Sequence, residues 1–157
     1  MRAQNAEGRR RNPSRLRRMV ISCALVVALW ALSSCKTVGV SMTEGGYAEV
    51  SPTVANEMML DSRQIVILDI RPESAFRGAP GYIAGALSVP LDSIERQLPE
   101  LLPYQNSTVL VYGDNDTDGE VAAKILTVAG FRNVVHIAGG LGAWIERGYR
   151  TVSSVTP

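Results

Sequence analysis

Cysteine is nearly absent from this chain: 157 residues hold two, Cys23 and Cys35, and none follows position 35. Residues 36–157 can therefore form no internal disulfide, no thiolate metal site and no C-x-x-C redox pair. Histidine is scarcer still. His136 is the single one and lies in an apolar stretch, which predicts a packed or edge imidazole rather than a general base and leaves nothing on which to build a Ser–His–Asp triad. A Walker loop, an H-E-x-x-H zinc pattern and an internal repeat are also missing. Net positive charge is confined to one end. Residues 1–18 carry seven Arg against one Glu, which leaves nine Lys+Arg against fourteen Asp+Glu in residues 35–157. An acidic body, with a basic leader that has no interleaved aromatics, argues against nucleic acid as a partner.

What is present begins with an amino-terminal targeting pattern. After Arg17 and Arg18 comes an apolar run of 14 residues, Met19 to Leu32. A membrane-crossing helix needs about 20 such residues and a signal-peptide core about 7 to 15, so export is favoured over a spanning anchor. Arg17-Arg18-Met19-Val20-Ile21 partly matches a twin-arginine signal, with Val20 where Phe is usual. Leu32-Ser33-Ser34-Cys35 resembles the lipobox of bacterial lipoproteins, which implies cleavage before Cys35 and a diacylglyceryl group on its thiol. Two or more acyl chains would hold the protein stably on a membrane, whereas one binds marginally. The expected location is the bacterial cell envelope, on the outer membrane or a periplasm-facing membrane. Lys36 stands where Asp would favour inner-membrane retention. The expected organisation is a signal peptide over 1–34, a lipidated Cys and tether over 35–46, one domain over 47–152 and a short tail over 153–157. Fully extended, the tether reaches at most about 36 Å.

From Tyr47 onward, short β-rich runs alternate with helical spacing, the pattern of an α/β fold with a central parallel sheet and helices on both faces. Five strands are expected: Tyr47–Val50, Ile65–Asp69, Leu87–Val89, Val109–Tyr112 and Val134–Ile137. The continuous apolar run of Ile65–Asp69 suggests the central one. Ser51 and Pro52 open a helix with a stripe of Val54, Ala55, Met58 and Met59. A polar loop over Gly113–Gly119 precedes a helix over Glu120–Ala129, stopped by Gly130. Gly139-Gly140 opens a last helix bearing Leu141, Trp144 and Ile145.

Three motifs in this order carry a family resemblance. They are Leu68-Asp69-Ile70-Arg71 with Glu73 and Phe76; Gly81-Tyr82-Ile83-Ala84-Gly85-Ala86, with Tyr82 where His is usual; and Gly139-Gly140-Leu141 with Trp144 and Gly148-Tyr149, where Arg150 replaces a frequent Pro. Over residues 47–152 the chain resembles the rhodanese-like domains. That resemblance implies a three-layer fold, an Asp69–Arg71 ion pair fixing loop geometry, and a structural Trp144 packed on the sheet. It also implies a nucleophilic Cys directly after the strand equivalent to Val109–Tyr112, where inward-pointing backbone N–H groups and a helix N-terminus stabilise a thiolate.

Gly113 occupies that position here. Asp114, Asn115, Asp116, Thr117, Asp118 and Gly119 follow, where active members tend to have small and basic residues. Carboxylates about 6 Å apart repel by roughly 1 to 3 kcal/mol per pair, and a helix terminus returns only ~0.3 to 1 kcal/mol. The loop therefore predicts no thiosulfate sulfurtransferase activity and no catalytic residue. The leading expectation is a non-catalytic, membrane-anchored module without cofactor that binds an envelope protein or small ligand at the former active-site face, through residues 114–119. Two alternatives stay open. One is a sulfurtransferase-family enzyme acting through a partner's Cys or through other chemistry in the Asp-rich loop. The other is a calcium-dependent binding module, because Asp114-x-Asp116-x-Asp118-Gly119 matches the first half of a calcium loop, although position twelve is Ile125 rather than a bidentate Glu. On the simplest reading the loop is a solvated turn with Asp118 as helix cap.

Overall fold

The computed structural model describes residues 39–61 and 64–153. The expected leader, Cys35, and residues 36–38 and 154–157 lie outside the described residues. Among those described, no helix is long and apolar enough to cross a membrane.

Chain order is β1 (Val40–Met42), β2 (Ala48–Val50), α1 (Pro52–Asp61), β3 (Ile65–Asp69), α2 (Glu73–Arg77), β4 (Ala86–Ser88), α3 (Ile94–Leu101), β5 (Thr108–Tyr112), α4 (Asp116–Val128), β6 (Asn133–Ile137) and α5 (Gly140–Glu146), with single 3-10 turns on either side of α3. Among the described residues the sheet has six strands in the order β1-β2-β6-β5-β3-β4. All neighbours are parallel except β1, which pairs antiparallel to β2 with Val40 opposite Val50 and Met42 opposite Ala48.

Period-2 alternation divides the core between the two faces of this sheet. Val109 and Val111 of β5 join Leu68, Ile94, Leu101, Ala122, Ala123 and Leu126 under α3 and α4. Leu110 and Tyr112 face the other way, into Ala55, Ile67, Val135, Ile137, Leu141 and Trp144 under α1 and α5. Full burial of side chains such as Leu110 and Leu126 contributes about 1.5–3 kcal/mol each. Both faces are covered, so the three-layer α/β expectation holds.

Three details differ from expectation. Val40–Met42, read as tether, is a sixth strand, folded onto β2 through the Gly45-Gly46 turn with Gly46 N donating to Thr43 O at 3.1 Å. The run Ile65–Asp69 is not central: β3 lies beside the edge strand β4, because a continuous apolar run reports helices on both faces rather than a place within the sheet. Thirdly, α4 begins at Asp116, four residues before the expected Glu120, which turns most of the acidic loop into its first turn.

Candidate functional site

Parallel strands bring their carboxyl ends to one edge of the sheet, and the loops that leave those ends build the site. At the end of β3, Asp69 is fully buried and Arg71 is 3% exposed. Arg71 grips Asp69 with two forked bonds, Nε to Oδ1 at 2.9 Å and Nη2 to Oδ2 at 2.7 Å, and its Nη2 also donates to Gly81 O at 2.8 Å. At the end of β5, the buried Tyr112 donates its hydroxyl to Asp69 Oδ2 at 2.7 Å, and the same hydroxyl oxygen of Tyr112 accepts from Ile83 N at 3.1 Å. Burial opposes the Arg71 charge, but the hydrogen bond and charge of Asp69 outweigh it and hold the guanidinium above its ordinary value. Burial first, then the charge of Asp69 and the bond to it, push the Tyr112 phenol far up, so it stays a proton donor.

Gly113 follows β5 directly and is buried. Its carbonyl accepts from Leu141 N at 2.9 Å, which ties this loop to the start of α5. The approach is so close that a Cβ on Gly140, where φ is +56°, would lie 2.3 Å from Gly113 O. Only glycine meets both the positive φ and the contact.

The Asp-rich segment is ordered by an asparagine cap. Asn115 has extended backbone angles and its side chain accepts from Asp118 N at 3.1 Å, while its Nδ2 donates to Asp118 Oδ2 at 3.2 Å. Asp118 was expected as the cap. Instead it is the third helical residue, and Asp116 and Asp118 occupy the first turn, where the helix dipole favours negative charge. The alternating aspartates diverge. Asp114 Oδ1 lies 3.7 Å from Arg71 Nη1, Asp116 Oδ1 accepts from Gly139 N, and Asp118 turns to Asn115. A calcium loop needs an open turn that points successive carboxylates at one centre, whereas here Gly119 is helical and the side chains fan out around α4. Among the described residues no three His, Cys, Asp or Glu groups are placed to hold a metal, so Asp114, Asp116 and Asp118 do not assemble as a ligand set.

Asp114 and Asp118, together with Asp92, instead rim a cavity of about 320 Å³ whose apolar walls are Ile70, Pro72, Pro90 and Leu91, with Arg71 completing the lining. Asp69 already neutralises Arg71, so the three rim carboxylates leave the cavity negative. Its lining holds no thiol, hydroxyl, imidazole or amine. A larger groove of about 460 Å³ lies between α3 and α4 around Leu98, Ile125 and Val128. The smaller cavity is the better site because polar groups converge there at the strand ends.

Of the residues singled out in the sequence, the structure brings together Asp69, Arg71, Gly113, Asp114 and Asp118. Asn115 serves as the cap, Thr117 is exposed, and Asp116 and Gly119 face His136 instead. Trp144 is buried, donates Nε1 to Arg150 O at 3.2 Å, and packs its ring 4.8 Å from that of Tyr149. The cavity walls Ile70, Pro72, Pro90, Leu91 and Asp92 were not anticipated. Each follows the end of a parallel strand, and that placement is the signal that could have found them.

An α/β domain with a cavity at the carboxyl ends of a mostly parallel sheet is the class that fold and site define. The sequence model of the family described as Rhodanese-like domain matches residues 51–147; the chain belongs to that family. The solution structure of the rhodanese-like domain of the Alr3790 protein from Anabaena sp. is similar at a TM-score of 0.60 and 29% identity, over 69% of this chain and 83% of that one. A thiosulfate sulfurtransferase from Pseudomonas aeruginosa is similar at a TM-score of 0.57 and 27% identity, over 66% of this chain but 20% of that one. The uncharacterized protein slr1261 of Synechocystis sp. is 28% identical over 110 residues, 68% of this chain and 59% of that protein, so the chain spans less than two thirds of that relative.

Proposed function

We propose that this protein is a non-catalytic rhodanese-like module that binds a protein segment or small ligand at the cavity where active members of the family carry out sulfur transfer. One observation carries this reading: Gly113 stands immediately after β5, at the mouth of the sheet, and the cavity beside it is lined without any thiol to carry sulfur. A persulfide carrier needs a thiolate, and the chain has no cysteine beyond Cys35. Cys35 itself we assign to a lipid anchor that holds the module at the cell envelope.

Apolar walls under a rim of Asp92, Asp114 and Asp118 favour a ligand with an apolar body and a cationic end, such as a Lys or Arg side chain of an envelope protein. Thiosulfate, a dianion, is the opposite of what this rim attracts. The test is cyanide-dependent thiocyanate release from thiosulfate by the full chain. No turnover is expected, and turnover abolished by substituting one residue of the domain would refute the proposal. Binding is read separately by titrating a Lys-containing tripeptide while following backbone amide shifts. Shifts at Ile70, Leu91 and Asp118 are expected, weakened by salt and by Asp118→Asn; an unperturbed site would remove the cationic-ligand reading. The anchor is tested by intact mass of protein recovered from native envelopes, where an unmodified Cys35 would overturn it.

A further inference from the structure

The only histidine of the chain is fully buried between two carboxylates that approach from different elements. On the β2 side Glu49 Oε2 lies 3.3 Å from Nδ1, and on the α4 side Asp116 Oδ1 lies 3.8 Å from Nε2. Tyr47 meets the ring edge-on at 6.5 Å. Gly119 presses so closely that a Cβ there would sit 2.3 Å from Nε2. Among the described residues, His136 Nε2 is the one buried side-chain nitrogen or oxygen with no hydrogen-bond partner. An orphaned buried atom of this kind calls for an explanation.

Proton counting supplies one. A neutral imidazole has a single N–H, so one of its two nitrogens always presents a lone pair to a carboxylate. If Nδ1 donates to Glu49, Nε2 faces Asp116 without a proton; if Nε2 carries the proton, Nδ1 faces Glu49 without one. Only the imidazolium offers a donor on both sides. Asp116 in turn accepts from Gly139 N, and Gly113 O accepts from Leu141 N. Whatever holds Asp116 therefore also holds the turn before α5 and the loop after β5.

We propose that His136 is a proton-operated clamp on the cavity rim. Protonated, it bridges Glu49 and Asp116 and fastens the first turn of α4 to the sheet. Deprotonated, it keeps its single proton on Nδ1, the nitrogen closer to its carboxylate, so that Asp116 is left opposite the Nε2 lone pair and the turn, which also carries Asp118 and follows Asp114, loosens. The clamp goes beyond the ligand reading and stands or falls without it, since no ligand enters its test.

Histidine changes charge between about pH 5 and 8, and a single imidazole makes the measurement unambiguous. The full chain, labelled with nitrogen-15 in detergent micelles, is titrated across that range while the ring nitrogens and the backbone amides are followed by NMR. The expected result is that the amides of Asp116, Thr117 and Gly139 shift with the midpoint of the ring, and that Gly139 N–H loses exchange protection on the deprotonated side. In Asp116→Asn the ring still titrates, but the Gly139 response disappears. In His136→Asn both are lost. A ring that keeps one protonation state from pH 5 to 8 overturns the proposal. So do amides that ignore the ring, or a Gly139 response that survives in Asp116→Asn.

Discussion

Tyr112 illustrates how much a single side chain at a strand end can hold together. Its hydroxyl donates to Asp69, accepts from Ile83 N, and so links β5, β3 and the segment before β4. Tyr112→Phe would strip Ile83 N–H of its acceptor and Asp69 of a donor, at a cost of about 1–3 kcal/mol, read as a lower urea midpoint. The phenol's folded pKa lies above its ordinary value. Its contribution is therefore fully present below about pH 10 and is lost as pH rises further, so the wild-type chain should lose stability on the alkaline side more steeply than Tyr112→Phe. Equal slopes would show that the network does not discriminate the ionised phenol. Gly140→Ala combines a positive φ with a contact on Gly113 O. About 1–3 kcal/mol of destabilisation is expected, against little effect from alanine at Gly142, where a Cβ meets nothing within 4 Å.

Among the elements, α4 departs most usefully from its sequence pattern. Read linearly, five polar residues before Glu120 look like a loop, yet Asn115 followed by acidic residues at the first and third helical positions is a helix start with dipole-favoured charge. Asn115→Ala should cost about 0.5–2 kcal/mol, while Asn115→Asp, which keeps the acceptor, should cost less. Chemical denaturation of the two variants side by side separates the cap from the asparagine itself. Gly119 belongs to the same account. It resembles a loop glycine in sequence, but its reason is the imidazole against its Cα, and no local pattern carries that information. β1 was missed for a related cause: three residues with an all-exposed pattern have no buried face, and without one alternation has nothing to report.

For the whole molecule, charge decides what the cavity can do. Gly113→Cys would place a thiol directly after β5, where on the function proposed above catalytic members carry theirs, and its Cβ would come closest to the flexible end of Ile70 at 3.0 Å, with Asn115 O and Asp118 Cβ at an ordinary 3.5 Å, so the variant should fold. The thiol should nonetheless be a poor nucleophile, because Asp114 and Asp118 beside it disfavour a thiolate. Slow alkylation by iodoacetamide at neutral pH is expected, accelerated by adding Asp118→Asn. Fast alkylation in the single variant would show that the helix terminus outweighs the acids and that the missing sulfur alone separates this protein from its catalytic relatives.

The sequence by itself determined the absence of a thiol after residue 35, the alternation of strand and helix that makes an α/β sandwich, and the Asp69–Arg71 and Gly139-Gly140 motifs that mark the family. Those features are local or compositional, so periodicity and neighbouring residues suffice to read them. Only the tertiary structure decided that β3 lies beside an edge strand, that Pro90–Asp92 closes a cavity begun at Ile70, and that Glu49 and Asp116 meet on one imidazole. Glu49 and His136 are 87 residues apart. Such pairings follow from strand order and register, which are set by how both faces of the sheet are buried together rather than by any one stretch of chain.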